Sequence, residues 1–166
     1  MTGFAFVALG TPAPQGSKSF KGMAGGHAIL AESSKAVKPW REAVKAAAPF
    51  GPKLDGPLAV HMTFTLRRPT SARRADERPC KTPDLSKLAR ATEDAITDAG
   101  LWADDARVSE YARLSKVWHP YDPLSLRTPG VLVAAVEMAG AWSAELDRLV
   151  YEARWAHALM REELIF

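Results

Sequence analysis

The sequence predicts a single α/β domain with a mixed four-stranded sheet and flanking helices, in the order β-α-β-α-β-β-α. Its 166 residues are enough for one hydrophobic core but too few for two domains of ordinary size. Segments in which apolar and polar residues alternate, as in strands, are separated by two segments with apolar residues at helical spacing. A third helical segment ends the chain. We expect one domain over residues 1–166, with a core at about 1–138 and an additional C-terminal helix at 141–165.

The first strand is predicted at residues 3–9, which are rich in Phe and Val. Residues 11–28 are rich in Pro, Gly, Ser and Lys, which predicts an extended, mobile loop. This loop is either a plain surface linker or a basic arm that follows a phosphate backbone through Lys18 and Lys21.

A helix and a second strand follow. Apolar residues at helical spacing predict the helix at residues 34–48, with Pro39 in its first turn. Strict alternation predicts the strand at residues 58–66 and places His61 on its less apolar face. A strand histidine with no ligand role is the favoured interpretation of His61.

The middle helix is predicted at residues 83–99. Thr82 is a suitable N-cap, Pro83 a suitable first helical residue, and Gly100 a natural C-terminal stop. One face is apolar and includes Thr92, and the opposite face is charged. The two residues after Gly100 are Leu and Trp, which we expect to enter the core.

The last part of the chain predicts two strands and a long helix. Residues 108–118 alternate loosely, whereas residues 131–138 are nearly all apolar, which favours a central strand. The long helix at 141–165 carries three large aromatic residues, and we expect packing rather than base stacking for Trp142, Tyr151 and Trp155.

Composition excludes several classes of protein. The net charge of +3 does not by itself demand a nucleic-acid partner. The single cysteine, Cys80, excludes an internal disulfide and a zinc site built from several cysteines. No apolar run approaches the roughly 20 residues of a membrane-spanning helix. We therefore expect no membrane partner and a cytoplasmic location.

Positive charge is concentrated between residues 67 and 81, where Lys and Arg outnumber acidic residues. Such a segment either holds phosphates or is a solvated loop that contacts nothing. The predicted DNA-binding residues here are Arg67, Arg68, Arg73 and Arg74, and Lys116 near the end of the third strand is a further candidate.

The strongest candidate site surrounds the middle helix. Asp84 stands at its start, and Asp104 and Asp105 follow its end. Lys87 and Arg90 lie on the same polar side as Asp84. Carboxylates beside fixed cations suit Mg²⁺, which binds oxygen ligands and acts on phosphodiesters. The alternative is an ordinary first-turn acid, favoured by the helix dipole, followed by a solvated acidic turn.

The sequence PDLSKLARATEDAITDAGLWADDARV, residues 83–108, resembles the core motif of the RusA family of Holliday junction resolvases. The family pattern is approximately D-x-D-N-L-x-K, then D-A-L, then a glycine followed by paired Asp residues and a Val. Asp84 stands at the first Asp of this pattern, residues 94–96 at D-A-L, and Gly100 opens the final element. The segments PQGSK and KPWR, earlier in the chain, also resemble phage members of the family.

The resemblance implies a small, homodimeric, Mg²⁺-dependent endonuclease that cuts branched DNA, with Mn²⁺ as an alternative ion. It implies a cytoplasmic protein, in the host cytoplasm if it is phage-encoded. A two-fold dimer would offer two equivalent sites to two opposed strands of a four-way junction. The implied metal ligands are Asp84, Asp104 and Asp105, and the implied catalytic residues are Asp84, Asp105, Lys87 and Arg90.

Three residues depart from the family pattern. Ser86 occupies the second Asp position, Lys87 the Asn position, and Arg90 the Lys position. Arginine keeps its proton at physiological pH, so Arg90 could steady charge on a phosphate but not act as a base. We expect Lys87 to supply the missing lysine function, and Asp104 or a water to compensate for Ser86. The alternatives are a DNA-structure-binding protein that cuts slowly, and an α/β interaction protein whose acidic turn has no chemical role.

Overall fold

The computed structural model describes most of the chain, with side chains omitted in a few segments. The backbone is described for residues 3–16, 18–24, 27–32, 35–73 and 75–162. Side chains are described throughout these ranges except at 18–24, 27–32 and 160–162.

Six strands and three α-helices occur in the described residues. In chain order they are β1 (Gly3–Leu9), β2 (Lys18–Ala24), β3 (His27–Glu32), α1 (Val37–Ala47), β4 (Leu58–Leu66), α2 (Leu85–Asp98), β5 (Val108–Trp118), β6 (Gly130–Glu137) and α3 (Trp142–Glu162). A short 3₁₀ helix, Asp105–Arg107, precedes β5.

The main sheet has the strand order β1-β6-β4-β5. Strand β6 is antiparallel to both β1 and β4, whereas β5 is parallel to β4. The predicted fold class, an α/β domain with a mixed four-stranded sheet, is therefore confirmed. The central position predicted for residues 131–138 is also confirmed, since β6 has a neighbour on each side.

Both faces of the sheet are covered by helices. Val60, Met62 and Phe64 of β4 face a core cluster that includes residues of α1 and α2. The alternate residue Ala59 faces a second cluster formed with Leu146 and the rest of the inner side of α3. The alternation predicted for β4 is correct, but the less apolar face is buried as well, because α3 lies over it.

Helices α1 and α2 are joined through a buried tryptophan. The Trp40 indole Nε1 donates to Thr92 Oγ1 at 3.2 Å, and Thr92 Oγ1 donates to the Leu88 carbonyl at 3.0 Å. Both Trp40 and Thr92 are buried. The polar threonine on the apolar face of α2 is thus satisfied by its neighbours, which stabilises the helix that carries the candidate site.

The prediction of a loop at residues 11–28 is wrong for the second half of that range, which contains β2 and the start of β3. Strands β2 and β3 form a separate two-stranded antiparallel sheet, with Lys18 opposite Glu32 and Ala24 opposite His27. Lys18 and Lys21 lie on β2, and their side chains are outside the described residues. Backbone pairing within a hairpin overrides the weak strand propensity of this Gly- and Ser-rich sequence.

Helix α2 begins later than predicted, because Asp84 rather than Thr82 is its N-cap. Pro83 therefore lies outside the helix. Lys116 Nζ on β5 donates to the Lys81 carbonyl at 2.6 Å and to the Pro83 carbonyl at 2.9 Å. The backbone of Asp84 is extended, with φ −68° and ψ 133°, so the helix does not include Pro83.

Helix α3 packs on the sheet along one side only. Leu146 and Val150 are buried, and Trp142 packs partly buried against the same cluster, as predicted. The packing predicted for Tyr151 and Trp155 is wrong, since they are 67% and 57% exposed. Their rings stack on each other at 6.2 Å on the outer side, which the sheet does not reach.

The edge strand β5 is irregular. Its pairing with β4 shifts register twice, leaving Ser109 and Ala112 without a partner opposite them. The shifts interrupt the regular ladder of hydrogen bonds between the two strands.

Candidate functional site

The N-terminal end of α2 carries an acidic and a basic side chain next to each other. Asp84 Oδ2 lies 3.2 Å from Lys87 Nζ, and both side chains are about half exposed. Ser86 and Arg90 are exposed on the same helix. The opposite side of α2 is buried in the main core, so Leu88 and its neighbours fix the direction in which these polar groups point.

The turn after α2 is anchored in the core. Gly100 has a φ of +77°, which favours glycine and ends the helix. Leu101 and Trp102 are 3% and 0% exposed, as the sequence predicts. The Leu54 N–H donates to the Leu101 carbonyl at 2.9 Å, and the Ala103 N–H donates to the Leu54 carbonyl at 2.8 Å. These contacts give the acidic turn that follows a fixed position.

The acidic turn places its two carboxylates in different environments. The Asp104 carboxylate accepts the Ala106 N–H at 2.8 Å and so caps the 3₁₀ helix. Asp105 is exposed. Arg107, the last residue of the 3₁₀ helix, forms an ion pair with Asp55 at 2.7 Å. Asp104 therefore has a structural role already, and Asp105 is the freer of the two to bind a ligand.

Glu93, which is buried, and Tyr111, which is partly exposed, form a pair that sequence reasoning did not identify. Glu93 is 8% exposed, and the Tyr111 hydroxyl donates to its Oε1. Burial raises the pKa of Glu93, and burial together with Glu93 raises the pKa of Tyr111. The charge of Asp105 raises both pKa values further, so Asp105 lies near this pair. The sequence feature that could have identified Glu93 is its spacing, because a residue four positions after buried Ala89 lies on the same side of the helix.

Among the described residues of one chain, Asp84 and the acidic turn are not gathered into a group of carboxylates that could hold a metal ion. Asp105 lies near Glu93, which is nine residues beyond Asp84 and therefore about 14 Å further along the helix axis. Ligands of one Mg²⁺ ion lie about 2 Å from it. Within the described ranges, no group of three or more His, Cys, Asp or Glu residues could hold a metal ion. The assignment of Asp84, Asp104 and Asp105 as metal ligands stays a prediction.

The guanidinium of Arg68 in the cationic segment is hydrogen-bonded to the backbone of its own loop. Its Nη2 donates to the carbonyls of Arg73 and Asp76, at 2.7 and 3.1 Å. Its guanidinium also lies 5.4 Å from the Trp118 ring centre and 5.2 Å from that of Tyr121. Cation–π contacts of this kind hold the loop against the ends of the strands.

The other predicted DNA-binding residues differ in accessibility. Arg67 is exposed. Arg73 is exposed and pairs with Asp76 at 3.1 Å. Lys116 is half-buried, with its ammonium on the two backbone carbonyls described above. Arg74 lies outside the described residues. No contact with DNA is tested by this geometry, and these assignments stay predictions.

Comparison with known proteins identifies the family. No curated protein matches the chain. Among the described residues, no helix is both long enough and apolar enough to cross a membrane. The model of the endodeoxyribonuclease RusA family matches residues 10–123, which include α1, β4, α2, the acidic turn and β5. The match covers more than half of the chain and agrees with the resemblance seen in residues 83–108. The chain therefore belongs to the RusA family of Holliday junction endodeoxyribonucleases.

Proposed function

We propose that this protein resolves Holliday junctions by paired, Mg²⁺-dependent nicks in DNA recombination and repair, as a homodimer. One observation carries the proposal: Asp84 and Asp105 are both exposed, and each is held by a rigid part of the fold. We also infer that the protein works in the cytoplasm, in that of the host if it is phage-encoded.

The carboxylates suit Mg²⁺ if two protomers share each site. Mg²⁺ takes one or two protein carboxylates and keeps several waters, so it does not require a cage of protein ligands. A two-fold axis that sets α2 antiparallel to its copy would bring Asp84 of one protomer near Asp105 of the other. Asp104 would then be an auxiliary ligand, and Mn²⁺ could replace Mg²⁺.

The charge pattern of α2 favours this antiparallel arrangement. Lys87 and Arg90 make the first half of its polar side basic, whereas Asp94 and Asp98 make the second half acidic. Arg41 bridges the two acids, at 3.3 and 2.9 Å, and offsets one of their charges. In an isologous contact, the basic half of each helix would face the acidic half of its copy.

The chemistry is in-line attack of water on a phosphate. Asp84 and Asp105 would hold the metal ion, which would lower the pKa of a bound water and neutralise charge on the phosphate. Lys87 stabilises the developing phosphate charge, since its ammonium already lies 3.2 Å from Asp84. Arg90, one turn further along, provides a second positive charge that keeps its proton.

DNA is held by cations of the loop after β4, where Arg67 and Arg73 are exposed. Arg67, Arg73 and Arg74 are the phosphate-binding residues of this loop, and Lys18 and Lys21 are further phosphate-binding residues. Arg68 and Lys116 act indirectly, because their charged groups already bind backbone carbonyls of the same loop.

Nicking of a four-way junction in Mg²⁺ tests the proposal. Asp84→Asn and Asp105→Asn should each lower the rate about 100-fold or more, since each removes a charged metal ligand. Asp147→Asn is the matched control, because Asp147 is exposed on α3 and outside the residues that match the family. A wild-type protein that binds junctions but does not nick them would instead support the non-catalytic DNA-binding alternative.

Mixing the two inactive variants tests whether sites are shared. A heterodimer of Asp84→Asn and Asp105→Asn protomers has one site with both substitutions and one site with none. We expect such mixtures to regain nicking of one strand. Sites formed within single chains would stay inactive in every combination, and the absence of rescue would contradict a shared site.

A further inference from the structure

A cavity of about 540 Å³ lies beside Asp84, at the carboxyl ends of the two parallel strands. Leu66 ends β4, Trp118 ends β5, and both line the cavity. Its wall continues through Thr82 and Pro83, the residues directly before Asp84. Its volume is in the range of about 300–1,000 Å³ found for small-molecule sites. Crevices beyond the carboxyl ends of parallel strands are common ligand sites.

The lining of the cavity is mainly apolar. Four prolines contribute to it together with Leu66 and Trp118. Flat apolar walls suit the two faces of a nucleobase, which enzymes acting on extruded bases enclose between aromatic and apolar side chains. The prolines are Pro12, Pro69, Pro79 and Pro83.

The walls are held in place before any ligand arrives. Arg68 fastens one wall through the carbonyls of Arg73 and Asp76, and Lys116 fastens another through those of Lys81 and Pro83. The wall after β1 is tied to α2, because the Gln15 N–H donates to the Lys87 carbonyl at 3.0 Å. A preformed cavity loses less entropy when a ligand enters.

Positive charge at the cavity indicates what enters it. Arg67, Arg73 and Lys81 all line it and are exposed. Asp76 also lines it, but its carboxylate is paired with Arg73. An apolar interior with exposed cations complements a nucleotide within a strand, whose base is flat and whose phosphates are charged.

We propose that this cavity receives an extruded nucleobase from the DNA strand whose phosphate is positioned at Asp84. The inference rests on the proposed function and adds to it a determinant of where the strand is cut. Bases at the centre of an open junction lack stacking on one side, which lowers the cost of extruding them. Filling the cavity would hold the strand in one register relative to Asp84.

The first test uses a junction that carries 2-aminopurine at the branch point, with EDTA present so that no strand is cut. Fluorescence should rise severalfold when wild-type protein binds, since the base leaves the stack. Ala72→Trp fills the cavity, because Ala72 lines it, and should abolish the rise. Ala75→Trp is the control, since Ala75 is in the same loop but not in the lining, and it should leave the rise intact.

The second test needs no substitution. Cys80 lines the cavity, is exposed and is the only cysteine of the chain. Junction DNA should slow its alkylation by N-ethylmaleimide about tenfold, a protection equivalent to the energy of one stacked base. A junction with abasic residues at the branch point should give little protection at equal occupancy.

These outcomes separate the cavity from the nuclease proposal. No rise in 2-aminopurine fluorescence, or equal protection of Cys80 by intact and abasic junctions, would overturn base insertion even if nicking were normal. Protection by free nucleosides or by linear duplex equal to that by the junction would also overturn it. Failure of the nuclease proposal would instead appear as junction binding without nicking by the wild-type protein, and undiminished nicking by Asp84→Asn and Asp105→Asn would remove these two residues from the chemistry.

Discussion

Lys116 offers the sharpest test of how the segment before α2 is held. Its ammonium donates two charge-assisted hydrogen bonds, to the Lys81 carbonyl at 2.6 Å and to the Pro83 carbonyl at 2.9 Å. Lys116→Met keeps the apolar stem of the side chain and removes both donors. Hydrogen bonds to charged groups contribute about 1.5–3 kcal/mol each, and partial exposure favours the lower end. Two such bonds at the lower end amount to about 3 kcal/mol, and we expect the free energy of unfolding to fall by about that much.

Lys116→Met should also affect nicking, because the two hydrogen bonds hold the segment directly before Asp84. Without these bonds, Asp84 would no longer be held in one place, and a displacement of about 1 Å can lower a rate about 100-fold. Nicking should therefore fall strongly, while the salt dependence of junction binding should not change, because the ammonium is occupied by carbonyls rather than phosphates.

Urea unfolding followed by tryptophan fluorescence measures the first effect, and band-shift titrations at several salt concentrations measure the second. Lys45→Met is the matched control, since Lys45 lies on α1 and pairs only with exposed Glu42. It should change the free energy of unfolding by less than about 0.5 kcal/mol. Unchanged stability of Lys116→Met, together with a salt slope lower by about 0.9, would refute the positioning role and support a phosphate contact.

Three further predictions concern single side chains. Burial, with help from Arg113, lowers the pKa of His61 from 6.5 to about 4. The unfolded chain therefore binds an extra proton between these pH values. The free energy of unfolding should fall by about 3 kcal/mol as the pH drops from 6.5 to 4, and His61→Leu should flatten that dependence in urea melts. Tyr111→Phe leaves the buried Glu93 carboxylate without its donor. It should cost about 1–3 kcal/mol at pH 7 and less in acid, where the raised pKa of Glu93 allows protonation; equal costs at both pH values would argue against this. Lys87→Met should lower the nicking rate about 100-fold, and an unchanged rate would remove Lys87 from the chemistry.

Local patterns in the sequence were sufficient for the sheet. The bounds of β1, β4 and β5 agree with the predicted strands, because alternation is set by which residues face the core. The β2–β3 hairpin escaped prediction because its stability comes from pairing between two segments, neither of which has strong strand propensity alone. The exposure of Tyr151 and Trp155 was not predicted either, because the spacing of apolar residues along a helix does not indicate how far the sheet beneath it extends.

For the candidate site, the sequence predicted which residues lie on the polar side of α2 but not how far apart the carboxylates are. Asp84, Lys87 and Arg90 lie on one exposed side of α2, as helical periodicity requires. The same periodicity fixes a length of about 21 Å for fourteen residues, which keeps the two ends of the helix apart within one chain. Glu93 was missed because a carboxylate is seldom buried, and the hydroxyl of Tyr111, eighteen residues away, helps to stabilise it there.

The two register shifts of β5 make it a poor strand for edge-to-edge association. An open, regular edge strand is a template on which further chains can add, which leads to fibrils. Register shifts beside Ser109 and Ala112, together with the charges of Glu110 and Arg113, interrupt that template. Addition of a further strand along this edge is therefore disfavoured.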